Sequence, residues 1–188
     1  MANEIGYQSD KTGADERAKG SDNRVNVSSR SDDRAYYNSR DKGECFSVPF
    51  DFQSASAGEF GVYFKNTSSI GLEFVVAGVG INSVEASRIK LHFVSGTATG
   101  GTALTPTNLN GSSSNAASAT AMEGGSAATG ITGLTSISLI DFAYVQATGH
   151  QEFRLKDRLR LGQNDAIAVE YDEGTAGDFS GVIFGYFE

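Results

Sequence analysis

The stretch "SRIKLHFVSG" (Ser87–Gly96) sets Ile89, Leu91 and Phe93 against Arg88, Lys90 and His92 in clean alternation. A period of two puts one set on each face of a β-strand, because successive side chains of an extended chain point to opposite sides. The same period extends in both directions from it. Upstream, "FSVPFDF" places Phe46, Val48, Phe50 and Phe52 on one face, with Pro49 marking an edge strand or a strand start. "EFGVYFKN" aligns Phe60, Val62 and Phe64 inward, leaving Tyr63 outward, and "LEFVVAGVGIN" is apolar throughout, as a strand covered on both faces would be. Downstream come "LTSISLIDFAYVQ", "QEFRLKDRLRLG", "DAIAVEYDEG" and "SGVIFGYFE", separated by the turn signals Thr148-Gly149, Gly162-Gln163-Asn164 and Glu173-Gly174. "FRLKDRLRLG" fits a strand only with a bulge near Asp157. Eight strands with Gly-rich turns and no helical period predict an all-β fold, a jelly-roll-like β-sandwich spanning 46–188.

Between the fourth and fifth of these strands lies "GTATGGTALTPTNLNGSSSNAASATAMEGG", from Gly96 to Gly125. Neither flanking set of strands can close a sandwich alone, so the stretch, within a loop at about 96–130, is an insertion in one domain and not a hinge. Loops of this length without structure of their own are usually functional or disordered. Small uncharged residues permit close backbone approach, and Leu104, Pro106, Leu109 and Asn110 are expected to pack on a neighbouring subunit. A mobile surface loop is the competing reading.

Charge divides the chain near Cys45. Residues 1–45 hold eight basic and nine acidic groups; the rest holds seven and fourteen, which gives the total of -8. The first region has too little apolar surface to offset the entropy of ordering and should not form a core. It reads either as a disordered tail or as an extended N-terminal arm that orders on a partner. The second reading is supported by Arg24, Arg30, Arg34 and Arg40 interleaved with Val25, Val27, Tyr36 and Tyr37, since Arg and Tyr are enriched in protein contacts. The acidic total argues against nucleic acid as a partner. No apolar run approaches the roughly 20 residues of a membrane span, and no signal peptide is read at the start. Synthesis in a cytoplasm is the expectation. On that reading the sequons at Asn26, Asn66 and Asn110 carry no weight.

Catalytic candidates are sparse. His92 reads as a solvated residue on the outward face of its strand, and His150 as a turn residue with no visible partner. Cys45 reads as a small buried side chain rather than a nucleophile. Glu170, Asp172, Glu173 and Asp178 lack the spacing of a calcium loop. "GVGINS" has no helix after it to hold a phosphate. No cofactor or metal pattern is found, and a non-enzymatic interaction or structural protein is expected. A carbohydrate-binding module would lack tryptophan platforms, and a jelly-roll hydrolase would need clustered histidines or paired carboxylates.

The run from Gly96 to Gly125, followed by "GHQEFRLKDRLRLGQNDAIAVEYDEG" and "GVIFGYFE", resembles virion-associated structural proteins of tailed bacteriophages over residues 35–188. The resemblance implies a part of the phage particle and carries no set of functional residues. The expectation is therefore a capsid decoration (cement) protein on the outer surface of the head. Its arm over 1–45 would lie on the major capsid protein, and jelly-roll habit suggests a homotrimer. A head-fibre or tail component binding a host receptor or glycan is the alternative.

Overall fold

The computed structural model describes residues 6–8, 15–17, 34–53, 57–124, 130–174 and 177–188. The chain divides into two units, Met1–Asp32 and Asp33–Glu188. In the first, β1 (Gly6–Gln8) pairs antiparallel with β2 (Asp15–Arg17), with Tyr7 opposite Glu16. The sequence reading had placed no strand there. Arg24, Val25, Val27 and Arg30 lie outside the described residues.

The second unit begins with a helical turn, α1 (Arg34–Tyr37), continued by a single π turn over Asn38–Lys42. This corrects the expectation of extended chain as far as residue 45: the strands start at Cys45, but the segment before them is coiled. Eight long strands follow: β3 (Cys45–Gln53), β4 (Glu59–Asn66), β5 (Phe74–Ser83), β6 (Ser87–Thr99), β10 (Thr132–Val145), β11 (Gly149–Leu161), β12 (Ala166–Gly174) and β13 (Asp178–Phe187). They pair first with last: β3 with β13, β4 with β12, β5 with β11, and β6 with β10, all antiparallel. That is one long hairpin rolled up on itself, with four of its strands in each sheet (β10-β6-β12-β4 and β11-β5-β13-β3). The jelly roll is thus present in topology as well as in strand number.

Alternation decides which side chains fill the space between the sheets. Phe46, Val48, Phe50 and Phe52 are all at most 4% exposed, as their spacing required. Phe64, Phe74, Phe187 and Phe46 run through the core as a chain of ring contacts 4.5–5.8 Å apart, and Phe52, Phe179 and Tyr171 form a second. Edge-to-face and tilted pairs of this kind add about 0.5–1.5 kcal/mol each beyond area burial. The register of β11 breaks between Arg154 and Leu159, where a bulge was expected. Phe60 departs from expectation. The register against β12 slips between Val62 and Phe60, so Phe60 joins Tyr63, Val94, Ala166 and Ala168 in a second apolar layer outside the six-stranded sheet.

The small-residue stretch is the tip of the rolled hairpin, and it has structure of its own. β7 (Thr102–Leu104) pairs with β9 (Ala119–Glu123), which pairs with β4, while β8 (Thr107–Asn108) crosses to β3. One excursion therefore extends both sheets on the same side, giving six strands (β10-β6-β12-β4-β9-β7) and five (β11-β5-β13-β3-β8). β8 reaches only Phe46 and Ser47 of β3, so Pro49, which has no N–H to offer, meets no strand on that side. The opposite side of the sandwich, bounded by β10 and β11, is left open among the described residues.

Candidate functional site

Three features of the second unit have the geometry of a contact or binding site. The first is where the N-terminal segment joins the body. Ala35 of α1 packs over Cys45, Val75 and Tyr186, one cross-strand row on the outer face of the five-stranded sheet, and the Cys45 thiol is buried beneath it. Three asparagines from the small-residue stretch hold the turns by their side-chain amides. Asn110 Nδ2 donates to the Ser39 carbonyl at 2.8 Å, Asn115 Nδ2 to Lys42 at 3.0 Å, and Asn108 Nδ2 to Gly43 at 2.8 Å. Gly43 ends the π turn in the left-handed region (φ 65°), and a Cβ there would lie 2.7 Å from Ser113 Cβ, so two constraints select glycine. Arg34 Nη1 reaches Glu188 at 3.1 Å, and Arg160 Nη1 reaches the same carboxylate at 2.6 Å. Tyr36 and Tyr37 stay about half exposed, carrying Arg40 and Lys42 over their rings at 5.0 and 5.5 Å.

Of the expected arm residues, Arg34, Tyr36, Tyr37 and Arg40 therefore sit together on this helical segment. Three of the loop residues expected at a subunit contact have places within the chain. Leu104 packs against the core, Leu109 N–H donates to the Cys45 carbonyl, and the Asn110 amide is committed to the turns; the Leu109 side chain is 51% exposed. Asn108 and Asn115 were missed. Their signal was an Asn/Gly/Ser-rich composition, which marks turn chemistry without naming its partner.

The second feature is a polar cleft of about 290 Å³ lined by Asp51, Asn82, Thr148, His150, Asp178 and Ser180, among others. Asp51 faces Ser180 across β3 and β13, Ser180 faces Asn82, and Asn82 faces His150, so four strands contribute to one row. His150 Nδ1 lies 2.9 Å from Asn82 Oδ1, the partner that sequence could not show. The acceptors and donors here suit a ligand rich in hydroxyl groups.

The third is β10. It is the end strand of the six-stranded sheet, and Ile137, Leu139, Phe142 and Tyr144 on it are 66%, 49%, 53% and 59% exposed. A network on the outer face ties this strand down. Ser136 Oγ lies 2.8 Å from His92 Nδ1, and His92 Nε2 lies 2.6 Å from Glu170 Oε2, in a geometry not aligned for a linear hydrogen bond. Asp172 accepts from both Arg88 and Lys90, and Arg88 reaches over the Tyr144 ring and donates to its hydroxyl at 3.3 Å. His92 is only 6% exposed, so the solvated histidine expected on this face is instead covered and paired. Its partner came from a strand 78 positions away in sequence, which alternation cannot reveal.

A serine, a histidine and a carboxylate in sequence is the order in which hydrolases activate a nucleophile, yet that chemistry also needs an oxyanion site and a substrate cleft. The three side chains lie on the neighbouring strands β10, β6 and β12, and the residues lining the polar cleft do not include Ser136. The network's evident work is to stitch β10, β6 and β12 together. Asp172 is thereby engaged in ion pairs with Arg88 and Lys90 and Glu170 is held against His92, and among the described residues no three His, Cys, Asp or Glu side chains converge to hold a metal. Comparison of the chain with protein-family models, with curated proteins and with solved structures finds no match, so its function is argued from these residues.

Proposed function

We propose that the chain is a structural protein that works by contact: a decoration (cement) subunit on the outside of a tailed-phage head, held to the major capsid protein by its N-terminal segment. The observation that carries this reading is the clasp at residues 34–44. Three asparagine amides, a glycine stop and the Glu188 ion pairs fix the point at which a polar, core-poor leader meets a rigid sandwich. Fixing that point limits the entropy lost when the leader orders on a shell, and many copies on one particle add multivalency. The exposed Tyr36 and Tyr37 with their stacked cations are contact residues beside it. The sequence resemblance to phage virion proteins supplies the shell as partner. Acidic bodies facing outward would keep particles mutually repulsive.

The polar cleft favours a second reading, a head-fibre or tail component whose sandwich binds a host glycan. Purified DNA-free heads of the encoding phage, mixed with the protein, separate the two. Saturable, stoichiometric binding supports decoration. No binding to heads, together with glycan-array binding lost in Asn82→Ala, would overturn it in favour of the second reading.

A further inference from the structure

We infer that β10 is a self-association edge, at which two copies of this chain pair antiparallel about a two-fold axis and join their six-stranded sheets. A free strand edge offers a row of unpaired N–H and C=O groups, and proteins normally blunt such edges with charge, proline, brevity or β-bulges. Among the described residues, the sandwich uses charge or brevity at three of its four sheet ends. β11 carries Glu152, Arg154, Arg158 and Arg160, while β7 and β8 are three and two residues long. β10 has register shifts after Thr132, Ser136 and Leu139, but it has fourteen residues, "TGLTSISLIDFAYV", without proline and with Asp141 as the only charge.

Three of its four exposed apolar side chains share the outer face, brought together by the register shift between Leu139 and Asp141. Leu139, Phe142 and Tyr144 stand opposite His92, Lys90 and Arg88, whose side chains make the outer network, and Ile137 sits at the register shift between Ser136 and Ser138. The spacing of these four is symmetric, and this identifies the occupant. Residues opposite each other in a regular antiparallel ladder have position numbers with a constant sum, and in a pair of identical strands both copies carry the shift after Leu139, so equal numbers of residues lie between the matched positions. Leu139 with Phe142 gives 139 + 142 = 281, and Ile137 with Tyr144 gives 137 + 144 = 281. One register therefore matches every exposed apolar residue of β10 with another on the second copy, the self-complementarity that an isologous interface demands. Charge argues the same way. A second copy of a chain of net charge -8 is repelled almost everywhere, and β10 is the long edge nearly free of that charge. The pairing goes beyond the capsid-binding proposal and does not depend on it. It also gives a two-fold where fold analogy suggested a trimer.

The test uses the full chain in sedimentation-velocity runs from about 1 to 200 μM, a range suited to an interface near the lower end of stable size. The expected result is a concentration-dependent monomer–dimer equilibrium that Leu139→Lys/Phe142→Lys shifts at least tenfold towards monomer, with an unchanged circular-dichroism spectrum. The register is read separately. Ile137→Cys/Tyr144→Cys should form a covalent dimer under mild oxidation, and each single cysteine variant should not. A monomer throughout the range, a trimer, or a dimer indifferent to the charged pair would overturn the inference. If the double lysine variant misfolds, the cysteine pair decides, and a failure to cross-link counts against it.

Discussion

Asn66 shows how much one side chain does in this fold. It belongs to an "NTS" sequon, yet it is fully buried: its amide donates to the Leu72 and Leu161 carbonyls, both at 2.8 Å, and its Oδ1 accepts from Ser68 N–H. Asn66→Ala strands two carbonyls and an N–H, and should destabilise the body by about 2–3 kcal/mol in urea unfolding. Asp172 sets an acid limit. Burial opposes its ionisation, but hydrogen bonds from Lys90 and Arg88 outweigh this and hold its carboxyl below the ordinary range. A carboxylate whose folded pKa is depressed stabilises the fold above its unfolded pKa, about 3.9, and that contribution is lost as pH falls through the folded value. Asp172→Asn should therefore cost about 1–2 kcal/mol at pH 7, since both cations are partly exposed. Its Tm deficit should shrink as pH drops below about 4, and a deficit constant with pH would contradict the assignment.

At the scale of elements, the strands were legible in the sequence where a period of two could be read. "FSVPFDF" named its buried face residue by residue, and the bulge in β11 was readable from Phe153, Leu155, Leu159 and Leu161 falling out of step. Legibility ended where partners are remote. The small-residue stretch gave no apolar period, because β7, β8 and β9 are short edge strands held mainly by backbone pairing, so it read as a loop packed on a neighbouring subunit and not as strands of the sandwich. The helical segment before Cys45 was hidden for the same reason: Ala35 is its main apolar anchor, and asparagines some seventy positions away secure the rest. Gly43→Ala tests that clasp. The added Cβ meets Ser113 in a left-handed backbone, so amide exchange over residues 38–44 should quicken at least tenfold while β5 and β13 keep their protection. Unchanged exchange over 38–44 would show that the clasp does not depend on the glycine.

At the largest scale, the second unit is a rolled hairpin whose tip folds back to cover one side and hold the helical segment before Cys45, leaving β10 open on the other among the described residues. Under the two proposals made above, separate edges do separate work: the clasp end of the sandwich would contact a shell, and β10 would receive a second copy. The most direct measurement compares the full chain with residues 34–188, which retain the clasp and the entire sandwich, for binding to DNA-free heads of the encoding phage. The account predicts that the full chain coats the heads to a fixed stoichiometry and that the shortened chain, equally folded, loses at least a hundredfold in affinity. Full-strength binding by residues 34–188 would contradict it.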